Sequence, residues 1–141
     1  MTHWCKGMNA REKMADILVI GGSIIETIAS ISRLPKKGGQ VLVRSWDTSV
    51  GGCAASVSVF ASALGLRSRV VTKIGRDEDG EKIKKRFRDL DVDIGFIGED
   101  AKLKTGRAFL VITPDGEWTS FSHPGAGMNL KNELENLDQT T

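Results

Sequence analysis

The sequence predicts an α/β domain that contains a parallel sheet and, beside it, a small accessory sheet. Continuous apolar runs that end in glycine, such as 17–20 before Gly21, are typical of strands buried on both faces of a parallel sheet. Two helical segments, 53–63 and 79–90, alternate with such strands, and this alternation indicates parallel crossovers. Two early extended segments and a late hairpin do not fit a plain doubly wound sheet, so we assign them to the accessory sheet.

Four strands and one helix are predicted up to Gly75. The strands are apolar runs, or runs that alternate between two unlike faces, and they cover residues 17–20, 24–31, 40–46 and 69–74. The helix, 53–63, is rich in Ala and Ser and contains no Pro, so it can pack closely against a sheet. Gly65 is its predicted C-cap.

The remainder of the chain is predicted to contain two helices and three extended segments. In the helix 79–90, Ile83, Phe87 and Leu90 recur at helical spacing and form an apolar face. The extended segments are 94–97, 106–113 and 117–121, and a Pro-Asp-Gly turn joins the last two into a hairpin. The last helix, 130–137, is polar.

Composition argues for one ordinary soluble domain, or for a piece of a larger one. The 141 residues are 40% hydrophobic, and Lys plus Arg minus Asp plus Glu is 20 − 18 = +2, too weak a charge to indicate a nucleic-acid partner. No apolar run approaches the roughly 18 residues of a membrane span. Two cysteines, Cys5 and Cys53, cannot form a disulfide framework or a Cys-rich zinc site, so a reduced cytoplasmic setting is expected.

The N-terminal extension, residues 1–15, does not resemble the rest of the domain. It is polar and has no regular apolar period, and we expect it to be disordered or to reflect a misassigned start. Met1, Met8 and Met14 all remain open as the start, and the domain itself is placed at 16–141.

Two features could bind a hydroxyl-rich ligand. Gly51-Gly52 precedes a helix, where free amides and the helix dipole point outward, although a plain turn also explains two glycines. Glu26 lies just past the first strand, and ligands of open α/β sheets bind outside the carboxyl ends of strands. Its carboxylate could accept hydrogen bonds from two hydroxyls of a polyol, or it could be a solvated residue on an edge strand. The histidines show no metal-ligand spacing, so no metal site is predicted.

These features together resemble the N-terminal half of the ribokinase-like, or PfkB-type, carbohydrate kinases. The first signature of that family is a spaced series of glycines and small residues, met here by Gly51-Gly52, Ala54, Ser56, Ser58, Gly65 and Gly75. The departure is Ser56, where the family usually has Asn. The offset from Gly21 to Glu26 also agrees, with Glu in place of the commoner Asp. Further matches are the segments 75–80, 105–106, 115–117 and 123–126.

The resemblance implies a three-layer α/β sandwich with a small β-sheet lid, whose C-terminal half is expected to be absent from this chain. It implies ATP-dependent transfer of the γ-phosphate to a hydroxyl of a sugar or nucleoside, with Mg²⁺. The implied substrate-binding residues are Glu26, Gly51, Gly52, Cys53 and Ser56, with Thr105 and Phe109 on the lid side. No catalytic residue is carried over, because the family's base lies in a Gly-Ala-Gly-Asp motif of the C-terminal half, which also supplies the ATP site.

A homodimer formed through the lid sheet is also expected, and the weak charge and the short apolar runs predict no nucleic-acid or membrane partner. The intact family member is expected to be a phosphotransferase, whereas this chain alone is expected to be inactive. The alternative is a truncated, non-catalytic remnant or substrate-binding fragment.

Overall fold

The computed structural model describes residues 15–138, so residues 1–14 of the predicted extension lie outside the described residues. The strands of the described part are β1 (Ile17–Ile20), β2 (Ile24–Ile31), β3 (Val43–Gly51), β4 (Ser68–Gly75), β5 (Asp93–Asp100), β6 (Thr105–Ile112) and β7 (Trp118–Gly125). The helices are α1 (Cys53–Ala63), α2 (Glu78–Arg88) and α3 (Lys131–Asp138), and a short 3₁₀ helix covers Ala126–Met128.

The parallel sheet has the strand order β1-β4-β5, and both neighbouring pairs run parallel. Helices α1 and α2 cover one face, where Val70 and Ile74 of β4 share a buried core with Phe87 of α2. Helix α3 lies on the other face, where Glu133 pairs with Lys73 of β4. Alternation of side chains along β4 therefore separates an apolar face from a face that contains a buried ion pair.

The accessory sheet, which we call the lid sheet, has the strand order β3-β2-β6-β7. Strand β2 runs antiparallel to β3 and parallel to β6, and β6 and β7 form the predicted hairpin. Strand β2 follows the carboxyl end of β1, and β6 follows the carboxyl end of β5. The lid therefore extends from the edge of the parallel sheet at which open α/β folds bind ligands.

Strand register divides the lid sheet into two faces. Glu26 lies beside Ala108 and Thr27 lies beside Phe109, and neighbouring residues along a strand point to opposite faces. We call the face that contains Glu26 and Ala108 the Glu26 face, and the face that contains Thr27 and Phe109 the Phe109 face.

The predicted parallel sheet, accessory sheet and three helices are confirmed, but some bounds were wrong. The third strand was predicted at 40–46 and lies at Val43–Gly51, because it pairs with β2 along nearly its whole length despite its polar residues. Strand β5 was predicted at 94–97 and extends from Asp93 to Asp100 through its pairing with β4. Gly65 follows α1 with a φ of 82°, as expected of a glycine that ends a helix.

Candidate functional site

The Gly51-Gly52 turn lies between the end of β3 and the start of α1. Gly51 pairs with Ile24 and Ser49 pairs with Glu26 in the antiparallel ladder of β2 and β3. Glu26 and Gly51 are therefore diagonal neighbours on one face of the lid sheet. This register brings the acidic candidate of the sequence to the glycine turn.

The Glu26 carboxylate is held on this turn. The amide of Gly52 donates a hydrogen bond to Glu26 Oε1 at 3.1 Å. A Cβ atom added at Gly51 would lie 2.6 Å from Glu26 Oε1 and closer still to the carboxyl carbon. The absence of a side chain at Gly51 thus provides the space that the carboxyl group occupies. Glu26 Oε2 receives no hydrogen bond from the described residues.

The backbone conformation and the close packing at position 52 both require glycine. Its φ is 89°, and an added Cβ atom would lie 2.7 Å from the carbonyl oxygen of Gly22. The amide of Ala54 donates to that same carbonyl at 3.1 Å, so the first turn of α1 lies against the chain that follows β1. No side chain caps α1, and its first turn contains no acidic residue. The start of α1 is therefore a place where the helix dipole favours negative charge and hydrogen-bond acceptors.

Cys53 and Ser56 are exposed side chains of α1. A Cβ atom added at Gly21 would lie 2.9 Å from Cys53 Sγ, so the thiol lies over the end of β1. The amide of Ser56 donates to the carbonyl of Gly52, and its side chain is left exposed. Five of the seven predicted substrate residues, Glu26, Gly51, Gly52, Cys53 and Ser56, thus lie around the start of α1.

The two lid-side candidates are placed differently. Thr105 is 3% exposed, and its hydroxyl donates to Asp77 Oδ1 at 2.6 Å and accepts from the Gly75 amide at 2.9 Å. Phe109 lies on the Phe109 face, where its ring contacts Trp46 at a centroid distance of 5.7 Å. Their roles in substrate binding stay predictions, and the geometry favours Ala108 as the lid residue beside Glu26.

We call the place where the start of β6 meets the start of α2 the root of the lid. Sequence reasoning missed a polar cluster at this place. Asp77 caps α2 by accepting from the Gly80 amide at 3.0 Å, and it also accepts from the amide of Thr105 at 3.0 Å. Burial raises the pKa of Asp77, but the hydrogen bonds from Thr105 and Gly80 outweigh it and hold the pKa below its ordinary value. An acidic residue three places before a glycine at a helix start could have indicated the cap, but not the bond to β6.

A cavity of about 380 Å³ lies at this root, lined by Asp77, Glu78, Asp79, Lys104, Thr105, Arg107 and His123. It is distinct from the turn that holds Glu26. Among residues 15–138, no group of three or more His, Cys, Asp or Glu side chains could hold a metal ion. None of the helices in that range is long and apolar enough to cross a membrane.

Comparisons with known proteins agree with the fold. The family model for pfkB family carbohydrate kinases matches residues 14–140. A ribokinase of Dictyostelium discoideum is 28% identical over 102 residues, which are 72% of this chain and 32% of that protein. A nucleoside kinase of Methanothermobacter thermautotrophicus is 26% identical over 116 residues, or 82% of this chain and 38% of that protein.

A solved structure shows the same fold. An Arabidopsis thaliana ribokinase complexed with ribose and ATP is 24% identical, with a TM-score of 0.67, and the match covers 79% of this chain and 36% of that one. The implied ribokinase-like fold with its lid sheet is therefore confirmed. The chain spans about a third of the length of these relatives. Because the family model matches nearly the whole sequence, the chain belongs to the pfkB family of carbohydrate kinases.

Proposed function

We propose that this chain supplies the substrate-binding part of an ATP-dependent kinase that phosphorylates a hydroxyl group of a sugar or nucleoside. The observation that carries the proposal is the Glu26 carboxylate, held by the Gly52 amide at the start of α1. The family membership and the ribokinase and nucleoside kinase relatives support the reaction and the substrate class. The ribokinase solved with ribose and ATP supports ATP as the phosphate donor.

The geometry suits a hydroxyl group for a chemical reason. A carboxylate oxygen is a strong acceptor, and hydrogen bonds to a charged acceptor contribute about 1.5–3 kcal/mol each. Glu26 Oε1 is fixed by Gly52, and Oε2 is available to accept from a substrate. Cys53 and Ser56 lie on the same helix turn and would line the same pocket.

The role of these residues in phosphoryl transfer is positioning. Such transfer depends on holding the acceptor hydroxyl in line with the phosphoryl group and on stabilising the developing charge. Glu26 would hold the substrate through its hydroxyl groups, and ATP would supply the phosphoryl group. We assign no residue of this chain to ATP.

The acidic residues described near the lid do not fit a Mg²⁺ site. Asp77 already accepts hydrogen bonds from Thr105 and Gly80, and Asp79 is paired with Arg107. The 141 residues contain no Gly-Ala-Gly-Asp motif, in which the resemblance places the base. We accordingly propose that these residues alone bind substrate without transferring phosphate, which is the substrate-binding-fragment alternative.

Calorimetry with a panel of sugars and nucleosides tests the proposal. Glu26→Gln keeps the shape of the side chain and removes its charge, so we expect the dissociation constant of the bound substrate to rise about tenfold or more. In the intact kinase, the same substitution should leave the affinity for ATP unchanged. Glu117→Gln is the matched control, because Glu117 is an exposed glutamate in the hairpin of the lid. Equal affinity in Glu26→Gln and wild type would contradict the proposal.

We also propose a homodimer formed through the lid sheet. The Phe109 face exposes Trp46 at 63% and Phe121 at 69%, and exposed apolar patches of this kind mark interaction surfaces. Sedimentation should show a dimer that is weakened in Trp46→Ser and Phe121→Ser. A wild-type monomer at high concentration would contradict this. The cytoplasmic location expected from the cysteine content stays a prediction.

A further inference from the structure

Helix α2 and strand β6 are joined by a set of polar contacts on the Phe109 face of the lid. The contacts involve two carboxylates near the start of the helix, Asp77 and Asp79, and two residues at the start of the strand, Thr105 and Arg107. We call these four residues the latch.

The ion pair of the latch has one buried partner. The Arg107 guanidinium Nε donates to Asp79 Oδ2, and the Asp79 side chain is 7% exposed while that of Arg107 is 69% exposed. Lys82 Nζ lies 3.6 Å from the other Asp79 oxygen. A carboxylate that is this buried is costly to leave without its partner, whereas an exposed pair contributes little. The pair therefore favours one arrangement of β6 against α2.

The second contact reinforces the first. Asp77 accepts from both the amide and the hydroxyl of Thr105, at 3.0 Å and 2.6 Å. The hydroxyl of Thr105 in turn accepts from the Gly75 amide at the end of β4. The first residue of β6 is thereby fixed to both the parallel sheet and the start of α2.

The latch and the Glu26 site lie on opposite faces of the same strand. Arg107 points to α2, and the next residue, Ala108, lies beside Glu26 in the parallel ladder of β2 and β6. Strand β6 is paired with β2 from Gly106 to Ile112. A displacement of β6 at Arg107 therefore also moves Ala108, the residue beside Glu26.

We propose that Asp79 and Arg107 are positioning residues of the kinase, whose ion pair, together with the Asp77–Thr105 contact, sets the position of the lid relative to the Glu26 site. The inference rests on the proposed function for its link to substrate binding. The physical claim, that the latch holds the lid root on α2, is independent of that function.

Hydrogen exchange of the 141-residue chain tests the physical claim. In Arg107→Gln and in Asp79→Asn, we expect exchange of the β6 and β7 amides to accelerate several-fold, with β1, β4 and α1 unchanged. Arg107→Lys keeps the charge and should restore part of the protection. Arg69→Gln is the matched control, because it removes an arginine–aspartate pair, to Asp93, between β4 and β5.

Substrate affinity, measured in the same variants, tests the positioning role. We expect the dissociation constant to rise three- to tenfold in Arg107→Gln and Asp79→Asn, and to stay unchanged in Arg69→Gln. Unchanged exchange of the lid in both latch variants would overturn the proposal. Accelerated exchange without a change in affinity would overturn the positioning role. If the wild type bound no sugar or nucleoside, the proposed function would fail, and the exchange data would still decide whether the latch holds the lid.

Discussion

The substitution Gly51→Ala probes the packing of Glu26 on the glycine turn. The φ of Gly51 is outside the left-handed region, so its backbone accepts alanine. The added Cβ atom would lie 2.6 Å from Glu26 Oε1, whereas nonbonded heavy atoms ordinarily approach to about 3.5 Å. The carboxyl group must therefore move by about 1 Å or more, which breaks its hydrogen bond with the Gly52 amide.

The magnitude follows from that one bond. Loss of a hydrogen bond to a charged acceptor costs about 1.5–3 kcal/mol. Replacement of glycine by alanine restricts the unfolded chain and offsets about 0.4–1 kcal/mol of this loss. We expect Gly51→Ala to lower the free energy of unfolding by about 1–2 kcal/mol.

A double-mutant cycle with Glu26→Ala isolates the cause. In the Glu26→Ala background the clash disappears, so Gly51→Ala should be neutral or slightly stabilising. Urea denaturation followed by tryptophan fluorescence gives the four free energies. Gly52→Ala is the contrasting variant, because its Cβ atom would meet the Gly22 carbonyl, which is backbone and cannot move aside. Equal destabilisation by Gly51→Ala in both backgrounds would refute the reasoning, since the cost would then not arise from Glu26.

Four further outcomes are expected. Asp77→Ala should lower the free energy of unfolding by about 2–4 kcal/mol, because it removes a helix cap and leaves the partly buried amides that bond to it without their acceptor. The pKa of Asp77 is depressed in the folded state, so its contribution is present above about pH 4 and is lost as the pH falls through the lowered pKa. The free energy of unfolding, measured from pH 7 to acid, should therefore fall less steeply in Asp77→Asn than in wild type. Parallel curves for the two proteins would count against this assignment. The 141-residue chain should not release ADP from ATP with any sugar of the panel, and turnover that Gly51→Ala abolishes would disprove this. Leu18 and Ile20 of β1 are 47% and 48% exposed, so the chain should bind a hydrophobic dye or self-associate, less so in Leu18→Lys; a monomer that binds no dye would show that this face is covered.

Much of the fold could be predicted from local patterns. Apolar runs that end in glycine, the alanine-rich helix and the Pro-Asp-Gly turn each specify their own element. The predicted bounds of β3 were wrong because Asp47, Thr48 and Ser49 are polar and interrupt the apolar pattern. Only the pairing with β2 makes this segment a strand. Local composition cannot show such pairing, because the partner strand contributes half of the hydrogen bonds.

The contact between Glu26 and the glycine turn could be expected from the family resemblance, whereas the positions of Phe109 and of the latch could not. Glu26 and Gly51 meet as expected from the family signature. The face to which Phe109 points depends on the register of β6 against β2, and a shift by one residue would exchange it with Ala108. The latch joins residues 28 positions apart, such as Asp79 and Arg107, and no spacing rule in the sequence indicates that contact.

The proposed role of Glu26 and the Gly51-Gly52 turn is to bind a substrate hydroxyl. The most direct measurement is a nuclear magnetic resonance titration of the labelled chain with ribose and with adenosine, following the backbone amides. The expected result is that the amides of Gly52 and Cys53 shift on binding, and that Glu26→Gln requires about tenfold more ligand for the same shift. Binding that shifts amides elsewhere and leaves Gly52 and Cys53 unchanged would contradict the claim.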